Sequence, residues 1–150
     1  MIIYRLSTIN FAADISGEGS RIYGGRWNPV GIPALYTSEN ISLSILEILV
    51  RATKKTSPDT YTLISISIPD DHIFSLEFKK LKNGWQHNLE YTQGIGEDFL
   101  KENQALCMRV PSAIVSQENN FLLNPLHTDF KKVKIISSEL LELDKRLLGF

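Results

Sequence analysis

The chain is organised around residues 16–47, which read SGEGSRIYGGRWNPVGIPALYTSENISLSILE. Five of its nine glycines fall between Gly17 and Gly31, and Arg21 and Arg26 lie among them. Glycine loses more backbone freedom on ordering than any other residue, so this concentration predicts positive φ angles or a close backbone approach. Backbone N–H groups beside positive charge suit an anionic ligand such as a phosphate, whereas the alternative is an ordinary arginine-bearing turn.

The glycines do not form either of the familiar phosphate-binding loops. Gly17 and Gly19 lack the third glycine of a dinucleotide fingerprint, because Ile22 stands in its place and no apolar strand leads into them. The phosphate-loop ending Gly-Lys-Ser/Thr is also missing from the sequence. Any anion bound here therefore requires a different arrangement.

A strand and a helix are predicted directly after the glycines. Residues 34–37 read as the strand, and Ser38 is the predicted helix N-cap. Dense apolar residues at helical spacing predict a largely buried helix over residues 41–52, and Glu47 lies inside it. An unpaired carboxylate is costly to bury, so Glu47 either pairs with Arg51 one turn later or points into a cleft.

The flanking sequence predicts short strands and one further helix. The clearest strand covers residues 60–68, where isoleucine and serine alternate. The other predicted strands cover residues 2–6, 73–78, 112–116, 121–124 and 132–137, and the helix covers residues 97–106. These elements predict one α+β domain over residues 1–150.

The composition is that of an ordinary globular domain. Of the 150 residues, 43% are apolar and 22% are charged, and the net charge of −1 gives no electrostatic footprint for nucleic acid or an anionic membrane. The N-terminus lacks a signal-peptide pattern, and no apolar run is long enough to span a bilayer. The single cysteine, Cys107, lies among apolar residues and is predicted to be buried, which fits a cytoplasmic location.

Two kinds of chemistry receive no support from the sequence. His72, His87 and His127 are far apart and no cluster has metal-ligand spacing, so no metal is expected. A serine hydrolase is not supported either, because the Gly-x-Ser-x-Gly elbow is absent.

A set of short sequence blocks is distributed along most of the chain. The blocks are Tyr4-Arg5, residues 16–21, 24–29 and 35–39, Leu46-Glu47, Pro111-Ser112-Ala113, Ser116 and residues 124–127. Together they resemble the RES domain, a family named after an arginine, a glutamate and a serine. The resemblance extends from Tyr4 to about residue 135 and departs from the family at Thr128, where proline is expected.

The resemblance implies an ADP-ribosyltransferase-like fold, with two packed small β-sheets and a few helices around an NAD cleft. It also implies a bacterial toxin whose partner is an Xre-type helix-turn-helix antitoxin that occludes the active site. NAD+ is then the substrate, and no metal takes part. A homodimer is left open.

Four residues fall on the family's functional positions, namely Arg26, Tyr36, Glu47 and Ser116. The bond to nicotinamide breaks through an oxocarbenium-like ribose, and the resemblance assigns Glu47 to stabilising this positive charge. Tyr36 is expected to border the nicotinamide, and Ser116 to hydrogen-bond the ribose or the carboxamide. Arg26 is expected to bind the pyrophosphate or to orient the ribose.

Further contacts with NAD+ are expected from the same blocks. Gly24 and Gly25 allow its close approach, Trp27 belongs to the same binding block, and Arg5 is a second candidate for anion binding. Hydrolysis or phosphorolysis of NAD+ is the leading hypothesis, although water, phosphate and a protein side chain can each attack the ribose cation. The alternatives are mono-ADP-ribosylation of a protein and a non-catalytic antitoxin-binding module. A near-neutral charge disfavours an RNA-targeting toxin.

Overall fold

The computed structural model describes residues 1–52, 58 and 60–148. Its strands are β1 (Ile2–Ser7), β2 (Leu35–Ser38), β3 (Thr60–Ser67), β4 (Ile73–Ser75), β5 (Cys107–Pro111), β6 (Asn119–Leu123) and β7 (Lys134–Glu142). Its α-helices are α1 (Glu18–Tyr23), α2 (Ile41–Leu49), α3 (Leu89–Glu102) and α4 (Lys145–Leu148). Short 3-10 helices cover Ile9–Phe11, Phe78–Lys80, Trp85–His87 and Thr128–Lys132.

Within these residues, seven strands form one sheet in the order β4-β5-β6-β2-β1-β3-β7. The β4–β5 pair is parallel and the other neighbours are antiparallel. β1 pairs with β3 from Ile2 to Ser7, but it meets β2 only where Tyr4 lies opposite Ser38. The sheet therefore has two halves, β4-β5-β6-β2 and β1-β3-β7, which are joined at one residue pair and diverge from it.

The α+β prediction is confirmed, and the arrangement of its strands differs from the expectation. Two separate packed sheets were expected, whereas the two halves share one hydrogen-bonded order. The reason is that β2 pairs fully with β6 and still reaches β1 through the Tyr4–Ser38 pair. The divergence beyond this pair opens the space that a separation into two sheets was expected to provide.

The buried side chains lie on both faces of the sheet. One face carries a cluster that includes Ile3, Leu35, Ile64, Ile66, Phe121 and Leu123. On the opposite face, one cluster beneath α3 contains Trp27, Trp85, Met108 and Leu122, and another beneath α2 contains Leu6, Tyr61 and Leu63. Register places Tyr4, Tyr36, Ser38 and Leu122 on that same face. The helices α2 and α3 thus cover different halves of one face and leave a gap between them.

The start of α2 differs from the prediction. Asn40, not Ser38, is the N-cap, because its side-chain oxygen accepts a hydrogen bond from the Leu43 backbone N–H at 2.8 Å. Ser38 is instead the last residue of β2. The helix ends at Leu49, three residues before the predicted end.

The second half of the chain also shifts some predicted elements. The strand predicted at 112–116 is displaced to β5, and α3 begins at an Asn88 cap rather than near residue 97. Gly96 lies within α3 and not at its start. A Cβ at Gly96 would lie 1.6 Å from the Trp27 carbonyl oxygen, so this glycine allows α3 to contact the loop of residues 24–28. The strand predicted at 60–68 is confirmed as β3, and the one predicted at 132–137 begins at Lys134 and continues to Glu142.

Candidate active-site cleft

A cavity of about 350 Å³ opens between β1, β2, α2 and the glycine-rich segment. This volume lies in the range of roughly 300–1000 Å³ that is typical of small-molecule sites. Five residues that the sequence predicted as site residues line it together, namely Arg5, Gly24, Gly25, Tyr36 and Glu47. Arg26, Trp27 and Ser116 are not among its lining residues.

Glu47 projects from α2 towards the start of β6. Its Oε1 accepts hydrogen bonds from the Ser112 hydroxyl at 3.0 Å and from the Asn120 side-chain amide. Glu47 itself lines the cavity, and none of the described residues donates a hydrogen bond to its Oε2. These contacts, rather than an ion pair with Arg51, hold the carboxylate, and Arg51 itself lines the cavity.

Ser112, not Ser116, is the serine that the structure brings to Glu47. It is fully buried, and its hydroxyl oxygen also accepts the backbone N–H groups of Ile114 and Val115, each at 3.1 Å. The Ser116 hydroxyl instead faces its neighbour Gln117. The strand ends at Pro111, so residues 112–116 turn and carry Ser116 away. A serine directly after a strand-ending proline is a turn signal that could have pointed to Ser112.

Asn120 was not among the residues that the sequence predicted for the site. Asn120 lies on β6 directly opposite Ser38 of β2. The Ser38 hydroxyl donates to Asn120 Oδ1 at 2.7 Å, and the amide nitrogen of Asn120 donates to Glu47. A continuous hydrogen-bonded chain therefore runs from the sheet to the candidate catalytic carboxylate.

Tyr36 uses its hydroxyl to hold the loop rather than to face the cavity. It donates to Asn28 Oδ1 at 2.5 Å and accepts the Trp27 backbone N–H at 2.9 Å. Burial raises the pKa of the Tyr36 phenol well above its usual value, so the group stays protonated. A Cβ on Gly25 would lie 2.5 Å from this hydroxyl, and Gly24 ends α1 at a φ of +70°. The sequence predicted that NAD+ would approach the backbone closely at these glycines. At Gly25, the group that approaches closely is the Tyr36 hydroxyl of the protein itself.

The next two residues of the loop face away from the cavity. Trp27 is 2% exposed and its ring centre lies 5.7 Å from that of Trp85. Arg26 donates from Nη1 to the Gln86 carbonyl oxygen at 2.9 Å, and its guanidinium carbon lies 6.0 Å from the centre of the Trp85 ring. Burying a large apolar ring stabilises the loop against α3, so direct contact of Trp27 with NAD+ does not match its position.

Arg5 is the arginine of the predicted set that lies in the cavity. Its Nη1 donates to the Asp14 carbonyl oxygen at 2.7 Å, which leaves other guanidinium N–H groups for a ligand. Burial lowers the pKa of Arg5, but a guanidinium remains charged at physiological pH. Arg21, the other arginine of the glycine-rich segment, forms an ion pair with Glu18 on α1.

Other features of the described residues bear on the possible chemistry. Cys107 is buried as predicted, and burial raises the pKa of its thiol. Residues 1–52, 58 and 60–148 contain no cluster of histidine, cysteine and acidic side chains arranged to hold a metal ion. In the same residues, no helix combines the length and apolarity needed to cross a membrane.

Comparison with known proteins identifies the family. The model of the RES domain matches residues 2–144. The chain is 37% identical over 135 residues to a protein named Toxin Res from Photorhabdus laumondii, covering 88% of this chain and 86% of the relative. It is 34% identical over 128 residues to a Prs ADP-ribosylating toxin from Sphingobium sp., covering 82% of this chain and 80% of the relative.

A solved structure has the same fold. A chain of the M. tuberculosis MbcT–MbcA toxin–antitoxin complex aligns with a TM-score of 0.77 at 20% identity, covering 98% of this chain and 86% of that one. The likeness agrees with the α+β fold expected from the sequence. The family match over nearly the whole chain carries the assignment: this protein belongs to the RES domain family.

Proposed function

We propose that this protein is a toxin that consumes NAD+ by breaking the bond between nicotinamide and ribose. The observation that carries the proposal is the Glu47 carboxylate, which is held by Ser112 and Asn120 at the edge of a cavity lined by Arg5 and Tyr36. One relative is named Toxin Res, and another is named a Prs ADP-ribosylating toxin, a name that implies transfer of ADP-ribose.

The chemistry follows from the charge that develops on the ribose. The C1′–N bond breaks, nicotinamide leaves with the bonding electron pair, and positive charge spreads over C1′ and the ring oxygen. A fixed carboxylate beside this centre is worth more in the transition state than in the ground state, which lowers the barrier. In our proposal, Glu47 supplies this negative charge through Oε2, to which none of the described residues donates a hydrogen bond.

The other residues orient the substrate. Arg5 binds the pyrophosphate, Gly24 and Gly25 form the adjacent wall, and the ring of Tyr36 borders the nicotinamide. Tyr36 does not act as an acid, because its hydroxyl hydrogen is donated to Asn28.

Two roles change relative to the sequence-based expectation. Ser112 takes the place proposed for Ser116, since it is the serine bound to Glu47. Arg26 remains a candidate, but its bond to the Gln86 carbonyl supports a role in fixing the loop that borders the cavity.

The acceptor of ADP-ribose divides the leading function from its alternative. Water or phosphate would make the protein a glycohydrolase or a phosphorylase, and a protein side chain would make it a transferase. The name of the Sphingobium relative favours keeping the transferase as the second candidate. NAD+ incubations with and without phosphate, followed by detection of ADP-ribosylated protein, distinguish the three outcomes.

A protein antitoxin is the proposed partner, because the solved relative comes from a toxin–antitoxin complex. Tyr23 is 84% exposed while it lines the cavity. Exposed aromatic side chains beside a cavity favour protein docking. We expect an Xre-type antitoxin to cover this mouth, and we expect the toxin to act in the cytoplasm.

The decisive experiment measures nicotinamide release and NAD+ loss with purified protein. We expect Glu47→Gln to lower the rate by roughly 100-fold or more, because a preorganised charge in the transition state is lost. Glu39→Gln is the matched control, since Glu39 binds Asn119 outside the cavity and should leave the rate unchanged. Equal, slow release by the wild type and Glu47→Gln would instead indicate a non-catalytic antitoxin-binding module.

A further inference from the structure

Strand β6 begins with two consecutive asparagines that contact two different glutamates. The Asn119 side-chain amide donates to Glu39 Oε2 at 3.3 Å, and the Asn120 amide donates to Glu47 Oε1. Successive strand residues point to opposite faces, so only the second pair lies at the cavity. Both pairs therefore join an asparagine amide to a glutamate carboxylate, one at the cavity and one outside it.

The orientation of the Asn120 amide is determined by its neighbours. A carboxylate can only accept hydrogen bonds, so the NH₂ group of Asn120 must face Glu47 and its oxygen must face away. Ser38 is 3% exposed, and its hydroxyl donates to that oxygen at 2.7 Å. Because Ser38 and Asn120 are direct partners in the β2–β6 ladder, the sheet fixes both side chains.

The consequence for Glu47 concerns its two oxygens. Oε1 accepts from both Asn120 and Ser112, while no described residue donates to Oε2. Two hydrogen bonds to the same oxygen fix the orientation of the carboxylate. The other charged side chains that line the cavity are Arg5 on β1, Arg51 after α2, and Asp14 and Glu18 near its mouth.

We propose that Asn120, oriented by Ser38, is a positioning residue that anchors Oε1 of Glu47 and leaves Oε2 facing the substrate ribose. This proposal rests on the NAD+-consuming function proposed above. Asn120 acts through Glu47 and not on the reacting atoms themselves. The proposal gives the first two residues of β6 different roles. Asn119 binds Glu39, and neither of them lines the cavity, so this pair has no part in the proposed reaction.

Asn120→Asp tests the proposal with almost no change in size. The new side chain still accepts from Ser38, but as an ionised carboxylate it has no hydrogen to donate to Glu47 and repels its negative charge. We expect kcat for nicotinamide release at neutral pH to fall roughly 10- to 100-fold, as for loss of a hydrogen bond to a charged group. We also expect KM to change little and the acidic limb of the kcat profile to move to higher pH.

Asn119→Asp is the matched control, because it makes the same substitution beside Glu39. It should leave kcat, KM and the pH profile unchanged. If the wild type releases nicotinamide and Asn120→Asp keeps its kcat and pH profile, the positioning role is wrong while the proposed function stands. If the wild type releases none, the proposed function fails instead.

A second variant keeps the test valid if Asn120→Asp does not fold. Ser38→Ala removes only the hydroxyl that orients the amide, and we expect a severalfold fall in kcat. This fall should disappear in an Asn120→Ala background, because the hydroxyl would then have nothing to orient. Equal effects of Ser38→Ala in both backgrounds would overturn the proposal.

Discussion

The two walls of the cleft differ in how their polar groups are used. The loop wall consists of Gly24, Gly25 and Tyr36 with residues 26–28 behind them. The helix wall consists of Glu47 with Ser112 and Asn120 behind it. In the loop wall, the Tyr36 hydroxyl is bonded on both its donor and acceptor sides. In the helix wall, a carboxylate oxygen has no donor among the described residues. The Tyr36 hydroxyl in the loop wall is therefore occupied by hydrogen bonds within the protein. In the helix wall, Glu47 Oε2 accepts from none of the described residues.

The loop wall is also tied to the rest of the molecule from several directions. The Asn28 amide, fully buried, donates to the carbonyl oxygens of Ser20 and Ile32 at 2.9 and 2.8 Å. Gln93 on α3 donates to the carbonyl oxygens of Gly25 and Asn28 at 2.9 and 3.2 Å. Buried polar groups that are fully paired stabilise one conformation. We therefore expect changes in the loop wall to lower stability and changes in the helix wall to lower turnover.

The largest effect on stability is expected from Gly96→Ala. The new Cβ would lie 1.6 Å from the Trp27 carbonyl oxygen, a backbone atom, so α3 or the loop wall must move. Overpacking commonly costs about 1–3 kcal/mol, and a clash this close should exceed about 3 kcal/mol or prevent folding. Urea unfolding provides the measurement.

The control for this change is Gly94→Ala on the same helix. A Cβ at Gly94 meets nothing within 4 Å, so the greater helix propensity of alanine should leave the protein equally stable or add up to about 1 kcal/mol. Similar urea midpoints for the two variants would show that the contact between α3 and the loop wall does not stabilise the fold.

These contacts also show how much of the molecule its sequence could predict. The alternation of isoleucine and serine was enough to predict β3. The family blocks were enough to select Tyr36 and Glu47, two residues that line the cavity. Burial of Trp27 could not be predicted in the same way, because it depends on Trp85, which is distant in the chain. Local sequence patterns determine the helices and strands, whereas the contacts of a side chain depend on how parts of the chain that are distant in sequence pack together.

The helix wall shows the same limit at closer range. Ser112 and Ser116 were both within the family blocks, and only the end of β5 at Pro111 decides which one reaches Glu47. Asn120 became a site residue through its cross-strand pairing with Ser38, which no spacing along the chain encodes. Residue types were therefore predictable at this site, and its hydrogen-bonded connections were not.

A smaller loss of stability is expected from Gly25→Ala. The added methyl group would lie 2.5 Å from the Tyr36 hydroxyl and 2.8 Å from Asn28 Oδ1. Displacing this hydroxyl should cost about 1–3 kcal/mol of unfolding free energy. Gly19→Ala, where a Cβ meets nothing within 4 Å, is the control and should not lose stability. An unchanged urea midpoint for Gly25→Ala would show that the loop wall is more adaptable than its contacts indicate.

Tyr36→Phe separates the contribution of Tyr36 to the stability of the loop wall from any contribution to turnover. The substitution leaves the Trp27 N–H and Asn28 Oδ1 without the hydroxyl, which should cost about 1–2 kcal/mol. The aromatic ring remains at the cavity, so we expect kcat for nicotinamide release to stay within about threefold of the wild type. A loss of kcat comparable to that of Glu47→Gln would instead give the phenol a part in the reaction.

Arg26→Ala is expected to have the smallest effect on stability and tests where the loop wall meets the substrate. Removing the bond to the Gln86 carbonyl oxygen and the contact with Trp85 should cost about 1 kcal/mol and leave the fold intact. We expect NAD+ turnover to weaken through a higher KM, because the arginine fixes the loop that borders the substrate. Arg26→Lys keeps the charge but loses the planar guanidinium, so it should recover turnover only in part. Unchanged NAD+ turnover in Arg26→Ala would remove Arg26 from the site, and loss of the fold would make its role structural.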